Sequence, residues 1–579
     1  MKKQFNRRSF LKRSLLATGG MLLVPNFISC SNDDDLVDEF QIPDDLNETN
    51  FDSGVASFDP TQSQVIIWTR YTTNLPSVSL MWQLARDSNF EDVVRSGKVV
   101  TDGSRDFTVA VEVQNLESNQ KLYYRFANVQ DVSVSVIGET ITLPRGSVNE
   151  VRLGVTSCAN FAAGLFNVYN AMANSDIDLV IHLGDYIYEY GENEYGTNVF
   201  TEPLGRTHSP VQETISLDDY RRRYKQYRGD EDLKLLHQRK PFICVWDDHE
   251  IANDTYKEGA ENHQESEGDF ESRKQNALKA YSEYLPAKTN DISIIYRSFQ
   301  IGNLVNLVML DTRLIGRDKQ LNLGSYVDAN TGSFDLAAFQ YDWLKPDRTL
   351  LGSTQRNWLL NEIGGNAAEW QVIGQQVLMG KMYIPAELVF LFATLIAEMD
   401  ATGEVSQTTM ATFHQRLTEL SELKTRAEGN DSTLTTKELA RINTVLPYNL
   451  DAWDGYPVER EMLLESFANK KVVVLAGDTH NAWYNDIVSN SGNVSIKEFA
   501  TASVTSPGFE KYIGTNPIIV SGFQYAIKLL IDGLNYLNAA KRGYMKVTFT
   551  QGTANSEWIF LDTVFSQEYV ETTGFVATV

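Results

Sequence analysis

The rhythm of apolar and polar positions changes near residue 150. From about 50 to 148 the apolar residues come in short β-branched and aromatic runs, among them "SQVIIWTRYT", "SVSLMWQLA", "FTVAVEVQNL" and "QKLYYRFANV". Turn residues divide them at the spacing of an all-β domain, so an N-terminal β-sandwich is predicted over 50–148. From Val151 the strands alternate with helical periodicity: "VRLGVTSC", the amphipathic "LFNVYNAMANS", then "IDLVIHLGD". "PFICVWDD", "NLVNLVMLD", "WQVIGQQVLM" and "KVVVLAGDTHN" continue the series, with helical stretches such as "STQRNWLLNEI" between them. That alternation predicts an α/β domain over 149–579.

Two charged helical stretches, near 256–285 and 386–443, interrupt the α/β pattern and are expected to be insertions near the mouth of a site. Within the second, "ELVFLFATLIAEM" is too short and too flanked by Glu to span a membrane. "RGYMKVTFTQGTANSEWIFLDTV" reads as a final hairpin with Gly552 in its turn.

The N-terminus has a different logic. Arg7 and Arg8 precede Phe10, Leu11 and a short apolar stretch broken by Gly19, Gly20 and Pro25. Residues 1–30 therefore resemble a twin-arginine signal, which exports proteins already folded. "FISC" resembles a lipoprotein box that would leave Cys30 as the lipidated N-terminus, although an ordinary secretory signal has the same outline. Residues 31–49 form an acidic tether too polar to bury. An exported lipoprotein, periplasmic or at the cell surface, is the expectation. Its partners would be the export machinery and a membrane, and it is expected to be a monomer.

With 51 basic and 76 acidic residues the net charge is −25, and nothing resembles the basic stripe of a nucleic-acid binder. Of the three cysteines, Cys158 and Cys244 remain after Cys30, too few for a disulfide scaffold. Cys158 stands at the lip of its strand, as a ligand, a structural thiol or a partner for Cys244. Cys244 lies mid-strand and reads as core.

The strand ends carry the chemistry. In order they finish in Cys158, Asp185, Asp247–Asp248–His249, Asp311, Gln375–Gln376 and Asp478–Thr479–His480. α/β sheets bind ligands beyond the carboxyl ends of their strands, so these residues should meet in one crevice. Two bare carboxylates about 4 Å apart repel by about 4 kcal/mol at an effective dielectric of about 20. Several together call for cations. Asp311 is set aside as a partner for Arg313 or a backbone cap.

Long stretches then resemble a known family. "GVTSCANFAAGLFNVYNAMA", "DIDLVIHLGDYIYEYG", "GRTHSPVQETISLDDYRRRYKQYR", "PFICVWDDHEIAND", "NLDAWDGYPVERE", "VVVLAGDTHNAWYND" and "FATASVTSPGF" are similar to the alkaline phosphatase D family of metallophosphoesterases. The likeness runs from about residue 50 onward. It implies a calcineurin-like four-layer α/β core behind an N-terminal sandwich. It also implies hydrolysis of phosphomonoesters or phosphodiesters by a metal-bound hydroxide, and a pair of metals, iron(III) and calcium. On the matching positions Cys158, Asp185 and Tyr188 would be iron ligands, with Asp185 bridging to calcium. Asp248 and Asn253 would serve the second metal, and Asp478 and His480 the closing motif. Which of Asp247 and Asp248 ligates, and how Asp478 and His480 divide between the metals, stay open.

A phenol with a pKa of about 10 binds as phenolate only to a strong Lewis acid. Iron(III) suits Tyr188 for that reason, and one turn places Asp185 and Tyr188 on the same side. His249 is the candidate proton donor to the leaving oxygen, or else a hydrogen-bond partner of a ligand carboxylate. Arg206, or an arginine of the run 221–223, is the candidate phosphate holder. Two other readings compete: a phospholipase D-like phosphodiesterase acting on lipid headgroups, and a non-catalytic calcium-binding surface lipoprotein.

Overall fold

The computed structural model describes residues 28–29, 42–43 and 45–579. Arg7, Arg8, Cys30 and the tether's acidic run lie outside the described residues.

The chain is a mixed α/β fold carried by two large sheets. In one, Val55–Phe58, Phe242–Cys244, Leu179–His182 and Glu150–Thr156 stand side by side, followed by Arg542–Thr550, Ala554–Leu561 and Glu571–Thr578. In the other, Arg297–Ile301, Val305–Met309, Trp370–Gly374 and Val472–Ala476 are neighbours, then Ser495–Ala500, Ala482–Val488 and Leu534–Asn538. The central strands are parallel, with Thr156 opposite His182 and His182 opposite Cys244 in the first sheet. "VNLVM", "WQVIG" and "VVVLA" are buried at every position, as strands covered on both faces must be.

Alternation along these strands separates two cores. Leu307, Val372, Val473 and Leu475 join the cluster holding Leu153, Val155, Ile181 and Leu183 of the first sheet. Val308, Ile373, Val474 and Ala476 point the other way, onto Leu359 and Ile363 of helix Gly352–Gly365 and Leu463 and Leu464 of helix Pro457–Ser466. The sheets therefore pack face to face, and each such buried side chain is worth about 1.5–3 kcal/mol. Helix Asn167–Asn174 lies on Arg542–Thr550, and helix Glu231–Arg239 on Val55–Phe58.

The N-terminal region is less separate than its sequence pattern suggests. Ser77–Ala85, Val93–Asp102, Lys121–Asn128 and Gly138–Ile141 belong to a sheet of their own. They meet Val55–Phe58, Val65–Arg70 and Thr108–Val113 around Trp82, Tyr124 and Phe126. Yet Phe58 pairs with Phe242, so the first large sheet runs without a break between the two regions. The Trp68 indole N–H also donates to the Glu283 carbonyl at 2.7 Å.

One expectation needs correction. The C-terminal hairpin is not final: Glu571–Thr578 adds a third antiparallel strand. Most of its residues are exposed, so it has no apolar alternation to betray it. The stretch 256–285 borders the site through Glu261, which accepts from Asn253 at 3.2 Å, and Asn262, which donates to Glu189 at 2.9 Å. Its helix Phe270–Tyr284 is tied to helix Leu217–Arg228 by Arg221–Glu283 at 2.6 Å and by Arg273 donating to the Tyr220 hydroxyl at 3.1 Å. The stretch 386–443 holds helices Ala386–Thr402, Gln407–Glu428 and Thr436–Asn443, pinned together where Glu387 meets Arg416 and Arg441. Among the described residues no helix is long and apolar enough to cross a membrane.

Candidate metal centre

The strand exits of both sheets open on one cleft, and their backbones are strained there. Cys158, Asp185, Asp478 and His480 have φ of 62°, 55°, 65° and 63°. Non-glycine residues in the left-handed region cost on the order of 1–3 kcal/mol each and gather at functional sites. Gly184 has φ 105°, and a Cβ on it would lie 2.5 Å from the Asp247 backbone nitrogen. Only glycine lets the two loops approach so closely. Buried Glu250 ties them together, accepting from the N–H groups of Asp185, Tyr186 and Asp247 at 3.0, 2.6 and 2.7 Å.

On one side of the cleft, ligand atoms of Cys158, Asp185 and His480 lie within 4.8 Å of one another. The Tyr188 hydroxyl donates to Asp185 Oδ2 at 2.9 Å and stands 3.1 Å from His480 Nε2. The Ser506 hydroxyl donates to Tyr188 at 2.7 Å. His480 Nδ1 lies 2.8 Å from the Pro507 carbonyl, which fixes its proton there and turns Nε2 as a free lone pair toward Asp185. Burial, reinforced by the Asp185 charge, pushes both the Cys158 thiol and the Tyr188 phenol well above their usual pKa. Burial also raises Asp185 to about 7, against the pull of His249. Cys158 and Cys244 are both free thiols, so no disulfide joins them.

The other side is all carboxylate, with Asp247, Asp248 and Asp478 within the same reach. Burial drives Asp247 and Asp478 well upward. Asp248 behaves oppositely: burial opposes its charge, but Arg313 and His249 overcome that and depress its pKa. Arg313, wholly buried, reaches Asp247, Asp451 at 2.8 Å and Asp478 at 2.8 Å. Asp185, Asp248 and His249 form a third group, so Asp185 and Asp248 link the two sides.

His249 sits inside this arrangement. Its Nδ1 is 2.7 Å from Glu189 and its ring stacks on Tyr188 with centroids 4.2 Å apart. Burial alone would lower its pKa, but Glu189, Asp248 and Asp185 raise it well above the usual value. Asn253 lines the cavity, yet its side-chain amide donates to Glu261 at 3.2 Å.

The structure does not bring Arg206 to the cluster. Its guanidinium is buried over the Phe161 ring at 3.5 Å, donates to the Phe161 carbonyl at 2.9 Å and pairs with Asp230. The arginine run also serves structure. Arg221 pairs with Glu283, Arg222 with Asp218, and Arg223 clamps the carbonyls of Tyr188, Tyr190 and Pro210. Arg313 and Asp451 were the residues missed. Asp451 stands in a segment already singled out, "NLDAWDGYPVERE", and Arg313 lies two positions past the end of "NLVNLVMLD", where it was read only as a partner for Asp311. Asp311 does cap backbone, accepting from the N–H groups of Arg313 and Leu314, but it leaves the Arg313 guanidinium to the cluster.

Metals fit these residues. Asp185 Oδ1 and Asp247 Oδ2 are buried without a hydrogen-bond partner, and such groups are rare in a finished interior. A thiol, phenol, imidazole and carboxylate suit a strongly Lewis-acidic transition metal, whereas carboxylates alone suit a hard divalent ion.

A buried set of donors, assembled at strand ends of two facing sheets, is suited to hold metal ions. The family description "PhoD-like phosphatase" matches residues 153–558, and "PhoD-like phosphatase, N-terminal domain" matches 38–144. The chain belongs to the PhoD-like phosphatase family. Alkaline phosphatase D of Bacillus subtilis (strain 168) is 32% identical over 480 residues, spanning 79% of this chain and 70% of that protein. A solved structure described as "Structure of PhoD" superposes with a TM-score of 0.70 at 29% identity, covering 93% of this chain and 91% of its own.

Proposed function

We propose that the chain is an exported phosphoesterase that hydrolyses phosphomonoesters, phosphodiesters or both, using iron(III) and calcium. The observation that carries this reading is the cluster of buried donors at a cavity of about 470 Å³ lined by Asp185, Asp248, Asp478 and His480, with an Asp185 oxygen left without a hydrogen-bond partner. Cys158, Asp185, Tyr188 and His480 would hold the iron. Asp247, Asp248 and Asp478 would hold the calcium with Asp185 between the two, and Asn253 would reach it only by releasing Glu261. The metals supply Lewis acidity toward the phosphate oxygens and the attacking water.

The chain's own residues do the rest. Glu189 keeps the His249 imidazole charged and oriented, so His249 can give a proton to the departing alcohol oxygen as the P–O bond breaks. Arg313 holds Asp247, Asp451 and Asp478 in register and spreads their charge before any ion binds. Tyr195, which shares Pro507 and His480 Nδ1 at 3.0 Å, keeps the imidazole in place.

We also read the facing sheets with their outer helices as a four-layer core, and the region 50–148 as a sandwich in front of it. Export by a twin-arginine signal, anchoring through lipid on Cys30 and a monomeric state complete the reading. Helix Ala386–Thr402 puts Phe392, Ile396 and Asp400 on the cavity wall, so this mouth decides between soluble esters and lipid headgroups. Metal analysis of the purified full chain, run beside phosphomonoesterase and phosphodiesterase assays, tests the reading. Activity that survives complete removal of metal would overturn it.

A further inference from the structure

A second cavity, of about 640 Å³, adjoins the catalytic one, and the two share Pro507 and Lys511. Lys511 is the only lysine or arginine lining the catalytic cavity among the described residues. Its ammonium stands 4.6 Å over the Tyr195 ring, and Tyr195 bonds His480, so one side chain separates this cation from the metal donors. The wall opposite is apolar. Phe200 and Phe565 stack with centroids 4.5 Å apart, beside Val199 and Val564.

These surfaces are not core. Val199 is 82% exposed, Phe200 44% and Phe565 39%. Apolar side chains brought together at a rim without being buried mark a ligand surface when they adjoin a reactive site. The partition is also built rather than loose. Arg542 pairs with Glu510 and donates to the Thr505 carbonyl at 3.0 Å, and the Pro507 carbonyl accepts from Tyr195 at 3.0 Å.

Resting on the phosphoesterase reading, we infer that this second cavity holds the alcohol portion of the substrate and selects esters whose alcohol is a flat apolar group. Lys511 stands where the two cavities meet, as a point charge for a phosphate oxygen. Phe200 and Phe565 take the ring by stacking. Phosphate then lies at the metal donors and the leaving group beyond Lys511.

The experiment compares 1-naphthyl phosphate with 2-glycerophosphate in the metal-loaded full chain, for wild type, Phe200→Ala, Phe565→Ala and Lys511→Gln. Truncating either ring should lower the ratio of kcat/KM for naphthyl over glycerol ester by about tenfold, with the loss in KM for the naphthyl ester. Lys511→Gln should raise KM for both esters by several-fold and leave their ratio near that of wild type. Phe200 is partly exposed, so its variant tests the cavity even if Phe565→Ala disturbs the fold. A ratio unchanged in Phe200→Ala, with both esters still hydrolysed, overturns the inference alone. A metal-loaded wild type inactive on both monoesters overturns the inference, and one inactive in a phosphodiesterase assay as well overturns the phosphoesterase reading.

Discussion

The two sides of the cleft solve the same electrostatic problem by different means. Around Tyr188 no guanidinium bonds the donor side chains, and the phenol and the thiol stay neutral by keeping their protons, which burial and the Asp185 charge hold in place beside the stacked His249 ring. Around Asp248 a guanidinium does the work, since Arg313 bonds Asp247, Asp451 and Asp478. The first side becomes anionic only when an incoming ion displaces protons, which takes a strong Lewis acid. On the second side Arg313 and His249 hold Asp248 anionic while burial pushes Asp247 and Asp478 upward, so a hard ion meets one charged carboxylate in a group that Arg313 has already organised. Donor chemistry, more than the number of charges, sets which ion belongs where.

The sharpest way to break this contrast is to remove what the two sides have in common. Asp185 serves both, and Asp185→Asn should lower kcat by on the order of 10³-fold while the fold persists. Activity and metal content near those of wild type would refute a shared ligand. A smaller effect should come from Arg313→Gln. It strands buried carboxylates without their cation, which costs about 3–5 kcal/mol of stability. Thermal unfolding without added metal should show the loss, and calcium should restore part of it. An unchanged Tm would mean that Arg313 is dispensable to the carboxylate side. The Tyr188 phenol should be indifferent to that change, because it bonds Asp185 and Ser506 and not Arg313. Smallest of all is Cys30→Ala, expected to release soluble enzyme with unaltered turnover. Lost activity in an exported Cys30→Ala protein would show that the N-terminal segment does more than anchor.

Much of this was legible in the chain because strand ends are written locally. "LGD", "VWDDHE" and "AGDTH" follow apolar runs, and the backbone delivers each to the same cleft. The strained φ values of Asp185, Asp478 and His480 match these places, where a strand gives way to a polar loop. Long-range partnerships were not legible. Nothing in "DTRLIGR" says that Arg313 will ignore nearby Asp311 and cross to Asp451. Arg206 looked available for phosphate because its burial over Phe161 depends on a fold 45 residues removed in sequence. Phe58 meeting Phe242 likewise joins two regions whose hydrophobic patterns differ. Pattern reveals which face is buried; it does not reveal what the buried group will touch.

The central claim is that the Tyr188 side binds iron(III) through a phenolate while the carboxylate side binds a different, hard ion. The most direct test is the visible absorption spectrum of the purified full chain beside Tyr188→Phe, with iron and calcium counted in both. A phenolate on iron(III) gives a charge-transfer band, and the substitution removes the oxygen while keeping the ring stacked on His249. The account predicts a coloured native protein, loss of that band in Tyr188→Phe, and calcium retained in both. A colourless native protein carrying stoichiometric iron(III), or an unchanged spectrum in Tyr188→Phe, would contradict it.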